Sequence, residues 1–155
     1  MWTDVEIGYL AGMIDGEGSI YIQDRKQGNY KHYFPRFQIT NTNKEVMYWI
    51  KETFGGTIYL KKRNHIKPHW KDQVEWFTTR ESMDKLLPLI IPHLIIKKKH
   101  AKIMQEFRAT FSGKAGGKRV PEESLIIRER CYKELKRLNQ RGPLLSSPLS
   151  PSSLR

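Results

Sequence analysis

The sequence has 155 residues and carries 28 Lys and Arg against 16 Asp and Glu, a formal charge of +12. That length suits one domain, with or without a tail, and 38% hydrophobic with 11% aromatic residues is enough to bury a core, which excludes wholesale disorder. No apolar run approaches the roughly 20 residues of a membrane span, and so basic a chain calls for an anionic partner, nucleic acid first.

The N-terminus opens with a helix signal: Thr3 as N-cap and Glu6 three positions on form a capping box, which predicts a helix from about Asp4 to Ile14. The start, MWTDVEIGYL, lacks the basic opening and apolar core of a secretory signal. Two runs rich in β-branched and aromatic residues follow, Ser19 to Arg25 and Lys31 to Thr40, with turn-forming residues from Lys26 to Asn29 between them; they predict a hairpin. Val46, Met47, Trp49, Ile50 and Phe54 have helical spacing that stops at Gly55 and Gly56. The strand, turn, strand pattern then recurs over Thr57 to Arg63 and Trp70 to Thr79, and a helical period resumes from Glu81 to Ile91.

The longest apolar stretch, Leu86 to Ile96, is broken by Pro88, Pro92 and His93, so no membrane protein is expected. Further helices are predicted from Lys97 to Phe111 and from Pro121 onward, the second with Leu125, Tyr132, Leu135 and Leu138 as its buried stripe. Cys131, the sole cysteine, reads as a packing residue; no intrachain disulfide can form, which fits a reducing intracellular setting, a prokaryotic cytoplasm or an organelle. Gly113 to Arg119 has the wrong glycine spacing for a phosphate loop and Arg119 where Ser or Thr is required, so it reads as a basic loop. His65 and His69 fall in a turn with no cysteine to complete a zinc site. The organisation is therefore a mixed α/β, αββαββα domain over residues 1–140 with C-terminal helices, and a disordered Pro- and Ser-rich tail over 141–155.

The most informative stretch is Leu10 to Gly18, LAGMIDGEG. Gly8 and Gly12 lie four apart on one helix face, each disfavouring the helix by about 1 kcal/mol relative to Ala, and such glycines usually permit close approach of another backbone. Asp15, Gly16, Glu17 and Gly18 place carboxylates at the carboxyl end of the helix, where the dipole disfavours them unless a metal or a donor compensates. With Ile20, Ile22, Phe37 and Ile39 facing the core, Tyr21, Gln23, Arg25, His32, Phe34, Arg36, Gln38 and Thr40 share an outward face whose aromatics, amides and guanidinium groups suit duplex DNA. Lys61, Arg63 and Trp76 extend this candidate DNA-binding set from the second hairpin.

The nine-residue string resembles the LAGLIDADG motif of homing endonucleases, with departures at Met13, Gly16 and Glu17, and the αββαββα order over Tyr9 to Ala101 is similar to that family's. With a single motif, the resemblance implies a homodimer whose motif helices meet through Gly8, Ala11, Gly12 and Asp15, Asp15 being otherwise a capping residue. It implies that Glu17 is the catalytic metal-binding acid, with the Gly16 carbonyl beside it, and that the cofactor is Mg²⁺, or Mn²⁺ in its place. Lys97 aligns with the family's pocket lysine and Asn41 with an amide that orders catalytic water; Glu45 stands where some relatives carry an arginine. The implied activity is hydrolysis of one phosphodiester in each strand of a long, pseudo-palindromic double-stranded DNA site. Two alternatives on the same fold stay open: a splicing cofactor (maturase) that binds intron RNA, and a DNA-binding protein that does not cleave.

Overall fold

The computed structural model describes residues 1–63, 66–111 and 120–140. The 141–155 tail, His65 and the Gly113–Arg119 loop lie outside the described residues. The elements are α1 (Asp4–Glu17), β1 (Gly18–Gln27), β2 (Tyr30–Asn41), α2 (Lys44–Phe54), β3 (Thr57–Lys61), β4 (Gln73–Phe77), α3 (Arg80–Ile90), a single 3₁₀ turn (Ile91–His93), α4 (Lys98–Ala109) and α5 (Glu122–Asn139). The mixed class and the αββαββα order expected from the sequence are both present.

Local chemistry sets the boundaries. The capping box closes as expected: Thr3 Oγ1 accepts from the Glu6 N–H at 3.2 Å, and the Glu6 carboxylate accepts from the Thr3 N–H at 2.8 Å. The helix runs three residues further than Ile14, through the acids to Glu17. What stops it is Gly18, whose N–H reaches Ile14 O while the backbone turns extended; a Cβ there would lie 2.6 Å from Ile14 O, so only glycine fits. Asn43 and Thr79 cap α2 and α3 through their side chains. β3 and β4 are shorter than expected, because beyond Lys61 the chain turns, with the Ile66 and Lys67 N–H groups on the Arg63 carbonyl.

The four strands form one antiparallel sheet in the order β1-β2-β4-β3. Pairings such as Ile20 with Phe37 and Ile39 with Trp76 line up the apolar set on one face, and the helices pack over it. Among the described residues no helix is long and apolar enough to cross a membrane. On α5 the buried stripe is Cys131, Tyr132 and Leu135, with Ile127 and Leu138 partly buried beside it; Leu125 is exposed and lines an open groove between the first turns of the helix and the tip of the β1–β2 hairpin.

Trp76 corrects the sequence reading. It is fully buried, with its indole N–H donated to Gly55 O at 2.7 Å, so it cannot contact DNA. Alternation along β4 instead turns Gln73, Glu75 and Phe77 outward. Trp76→Ala is therefore expected to lower stability by about 3–5 kcal/mol, read as a shifted urea midpoint at unchanged slope.

Candidate functional site

The outward face of the sheet is continuous across three strand pairings. Tyr21 sits opposite Arg36, Gln23 opposite Phe34, Arg25 opposite His32, Gln38 opposite Phe77, Thr40 opposite Glu75, and Lys61 opposite Gln73. All the outward residues expected from the first hairpin lie on this face, as does Lys61; Tyr59, Gln73, Glu75 and Phe77 join them. The side chains are organised by one another. Tyr21 donates to Gln38 Oε1 at 3.2 Å, Arg36 donates twice to Gln23 Oε1 at 3.2 and 3.1 Å, and the Arg25 guanidinium lies 5.9 Å from the Phe34 ring centroid. Arg63 lies just past β3, its guanidinium 4.4 Å over the Trp70 ring.

The second feature is the carboxyl end of α1. Glu17 is exposed and makes no hydrogen bond or ion pair with any described residue, at a helix end where the dipole disfavours its charge. The Gly16 carbonyl beside it belongs to the last turn, whose oxygens find no donor within the helix. Lys97 comes to the same end: its ammonium donates to Asp15 O at 2.6 Å. Asn41, at the end of β2, lies two residues beyond the Gly18–Ile39 pair, on the side of this last turn; its Oδ1 accepts from the Asn43 N–H at 2.8 Å. Three residues after Lys97, burial first and then the charges of Lys97 and Lys99 lower the pKa of His100, which is therefore neutral at pH 7.

Among the described residues no group of three or more His, Cys, Asp or Glu could hold a metal by itself. One free carboxylate and a neighbouring backbone carbonyl are nevertheless hard oxygen donors of the kind Mg²⁺ accepts, and they amount to part of a site that further oxygens must complete.

The third feature is the outer side of α1. Its apolar residues run all round the helix: Ile7, Leu10, Ala11 and Ile14 are buried in the core, while Val5 is 82% exposed and Tyr9 48%. A Cβ added at Gly8, Gly12 or Gly16 would meet nothing within 4 Å. Val5 and Tyr9 border a shallow apolar groove closed on the other side by Glu45, Val46 and Trp49.

A family model described as LAGLIDADG endonuclease matches residues 10–110, which covers the motif at the end of α1, the whole sheet and α4. The chain belongs to this family. No curated protein sequence matches it significantly. Among solved structures, the archaeal intron-encoded homing endonuclease I-Vdi141I complexed with DNA is similar at 24% identity and a TM-score of 0.70, over 90% of this chain and 87% of that one. The homing endonuclease I-CvuI, in complex with the I-CreI target in 2 mM Mg with the DNA not cleaved, gives 18% identity and a TM-score of 0.69 over 90% and 85%. I-SmaMI bound to an uncleaved DNA target in the presence of calcium ions gives 18% and 0.66, over 84% of this chain but 45% of that one. At these identities the likeness is one of fold.

For this LAGLIDADG endonuclease two expected interface residues need correction. Ala11 has no exposed surface; it packs in the chain's own core with Ile7 and Leu10 and cannot reach another chain. Asp15 spends its carboxylate within the chain, on the N–H groups of Ile95, Ile96 and Lys97, which is its capping alternative. Burial opposes its ionisation, yet these donors and the Lys97 charge hold its carboxyl below the usual range. Glu45 lines the groove beside Val5 and Tyr9, alongside the N-terminal half of α1. The Asp15 contacts carried no local sequence signal, since they join residues 80 to 82 positions apart.

Proposed function

We propose that the protein is a site-specific endonuclease that binds a long, approximately two-fold symmetric duplex DNA site as a homodimer and hydrolyses one phosphodiester in each strand with a divalent metal. The observation that carries this reading is the pairing, on one helix, of an uncovered smooth face with an unpartnered carboxylate at its end: Gly8, Gly12 and Gly16 are open, and Glu17 follows at once. A helix apolar on all sides is normally buried on all sides. A two-fold axis along the helix pair would cover the open face and bring two Glu17 side chains to the same side of the dimer. The shares of chain covered support this: the chain matches most of I-Vdi141I and I-CvuI but under half of I-SmaMI.

In this reading Glu17 and the Gly16 carbonyl hold the cation, which when bound supplies Lewis-acid polarisation of a phosphoryl oxygen and a water of lowered pKa. The Lys97 ammonium meets the negative charge that develops on the phosphate as the bond breaks. Asn41, whose Oδ1 is engaged with Asn43, keeps an amide N–H to orient water. The outer face of the sheet reads the major groove, where Gln suits adenine and Arg suits guanine.

The extent of the site follows from strand length. β1 and β2 have 10 and 12 residues, and at about 3.3 Å per residue each sheet follows about 33–40 Å of duplex. At about 3.4 Å per base pair that is about 10–12 base pairs in each half and roughly 20–24 in the dimer. Footprinting on a duplex recovered by cleavage selection should show this length. Its affinity should fall on the order of 10³-fold or more between 50 and 200 mM salt, because a dimer of twice +12 displaces many counterions. A protected stretch of about 8 base pairs, salt-insensitive binding, or preference for intron RNA without cleavage of duplex in Mg²⁺ would overturn the reading.

A further inference from the structure

The start of α4 is unusual in its charge. Lys97, Lys98 and Lys99 crowd a helix N-terminus whose dipole already favours anions; no acidic residue lies in the first turn, and Lys97 at the N-cap position offers no side-chain acceptor. The missing acceptor comes from the last turn of α1. Asp15 Oδ2 accepts from the N–H groups of Ile95 at 2.7 Å and Ile96 at 3.1 Å, and Oδ1 accepts from the N–H of Lys97 at 2.8 Å. Three successive amides converge on one carboxylate, the arrangement of a backbone nest. Ile95 and Ile96 themselves are 86% and 70% exposed, although both are strongly apolar.

Lys97 is held twice. Its backbone N–H is on the Asp15 carboxylate and its ammonium, at 2.6 Å, is on the Asp15 carbonyl. An ordinary cap fixes only backbone; here the side chain with the most rotamer freedom to lose is tied to the same residue. Both anchors lie two positions before Glu17.

We propose that Asp15 is a positioning residue for cleavage: by gathering the amides of residues 95–97 and lending its carbonyl to the Lys97 ammonium, it fixes Lys97 beside the carboxyl end of α1 and sets its distance from Glu17. This rests on the reading of Lys97 as the pocket lysine. Preorganisation is where such a hold matters, since a donor already aimed at developing charge needs no reorganisation as the bond breaks. A displacement of about 1 Å is enough to lower a rate on the order of 100-fold.

The test is a double-mutant cycle on the full chain with a duplex recovered by cleavage selection, together with a chemical readout of Lys97 itself. Asp15→Asn retains one acceptor oxygen but places an amide N–H group against the donors of the other, the Lys97 N–H or those of Ile95 and Ile96. Its single-turnover rate in Mg²⁺ should fall on the order of 10- to 100-fold, with affinity in Ca²⁺ little changed. Lys97→Met should slow cleavage too, and the double variant should be no slower than Lys97→Met alone, because Asp15 acts through Lys97. Multiplying effects would show that Asp15 does not act through Lys97, and an unchanged Asp15→Asn rate would leave it a cap and nothing more; either overturns the proposal.

Reductive methylation separates this from the reading beneath it. In the unsubstituted protein Lys97 should methylate more slowly than Lys98 and Lys99, and Asp15→Asn should abolish the difference. If Lys97→Met cleaves at the unsubstituted rate while that protection is present, the pocket-lysine assignment fails although the hold is real. If Lys97 methylates as fast as its neighbours in the unsubstituted protein, the hold itself is refuted, and that result is available even should Asp15→Asn fail to fold.

Discussion

Glu17→Gln is expected to lower single-turnover cleavage on the order of 10³-fold or more, with binding in Ca²⁺ or EDTA retained. The substitution preserves the size of the side chain and one oxygen acceptor, so the shape of the protein–DNA contact should survive. What is lost is the negative charge that draws a divalent cation to the end of α1. Glu17 has no structural partner to lose, for it makes no hydrogen bond or ion pair with a described residue. Its removal should therefore leave the melting temperature unchanged or raise it slightly, since a carboxylate at a helix C-terminus opposes the dipole. That combination of a large loss of rate, constant affinity and no loss of stability distinguishes a catalytic acid from a folding residue. Cleavage at the unsubstituted rate would remove Glu17 from the site. Loss of affinity in EDTA would show that its role is in binding DNA.

The parts of this molecule that were legible in the sequence are those with local causes. The Thr3–Glu6 box, the helical spacing of Val46 to Phe54 and the alternation along β1 and β2 are each decided within a few residues. Two misreadings had a common origin in small residues. Ala11 is three positions from Gly8 and one from Gly12, so helical geometry alone allowed it on either flank, and only the position of the sheet decides that it is inside. Gly16 suggested that the helix had ended, whereas glycine is tolerated there and the chain leaves α1 at Gly18, where its close pass over Ile14 has no room for a Cβ. Trp76 was misassigned because both faces of the short second hairpin are apolar or aromatic: Val74 and Trp76 on one side, Tyr59 and Phe77 on the other. Periodicity separates the two sets but cannot say which faces in. The hold of Asp15 on residues 95–97 was invisible for a different reason, as it joins segments that only the completed fold brings together.

Gly12→Val is the sharpest test of the dimer, because the protomer gives it no reason to fail. A Cβ at this position meets no atom within 4 Å, and glycine in a helix interior is about 1 kcal/mol worse than Ala and a few tenths worse than Val. A protomer that functioned alone would be unaffected or slightly stabilised. In a two-fold dimer the same change inserts two branched side chains where two backbones should touch. Overpacking of this kind disfavours the contact by about 1–3 kcal/mol for each inserted group. Together that is about 2–6 kcal/mol, which at 1.4 kcal/mol per decade raises the dimer dissociation constant roughly 30-fold or more. Sedimentation should therefore show monomers at concentrations where the unsubstituted chain is dimeric. Footprints should shorten to one half-site of about 10–12 base pairs, and cleavage of both strands should be lost together, since the proposed dimer brings its two Glu17 carboxylates to one side. The far-UV spectrum should not change. An intact and fully active dimer would mean that the open face of α1 is covered by something other than a second copy, and with it would go the explanation of why a helix this exposed carries three uncovered glycines.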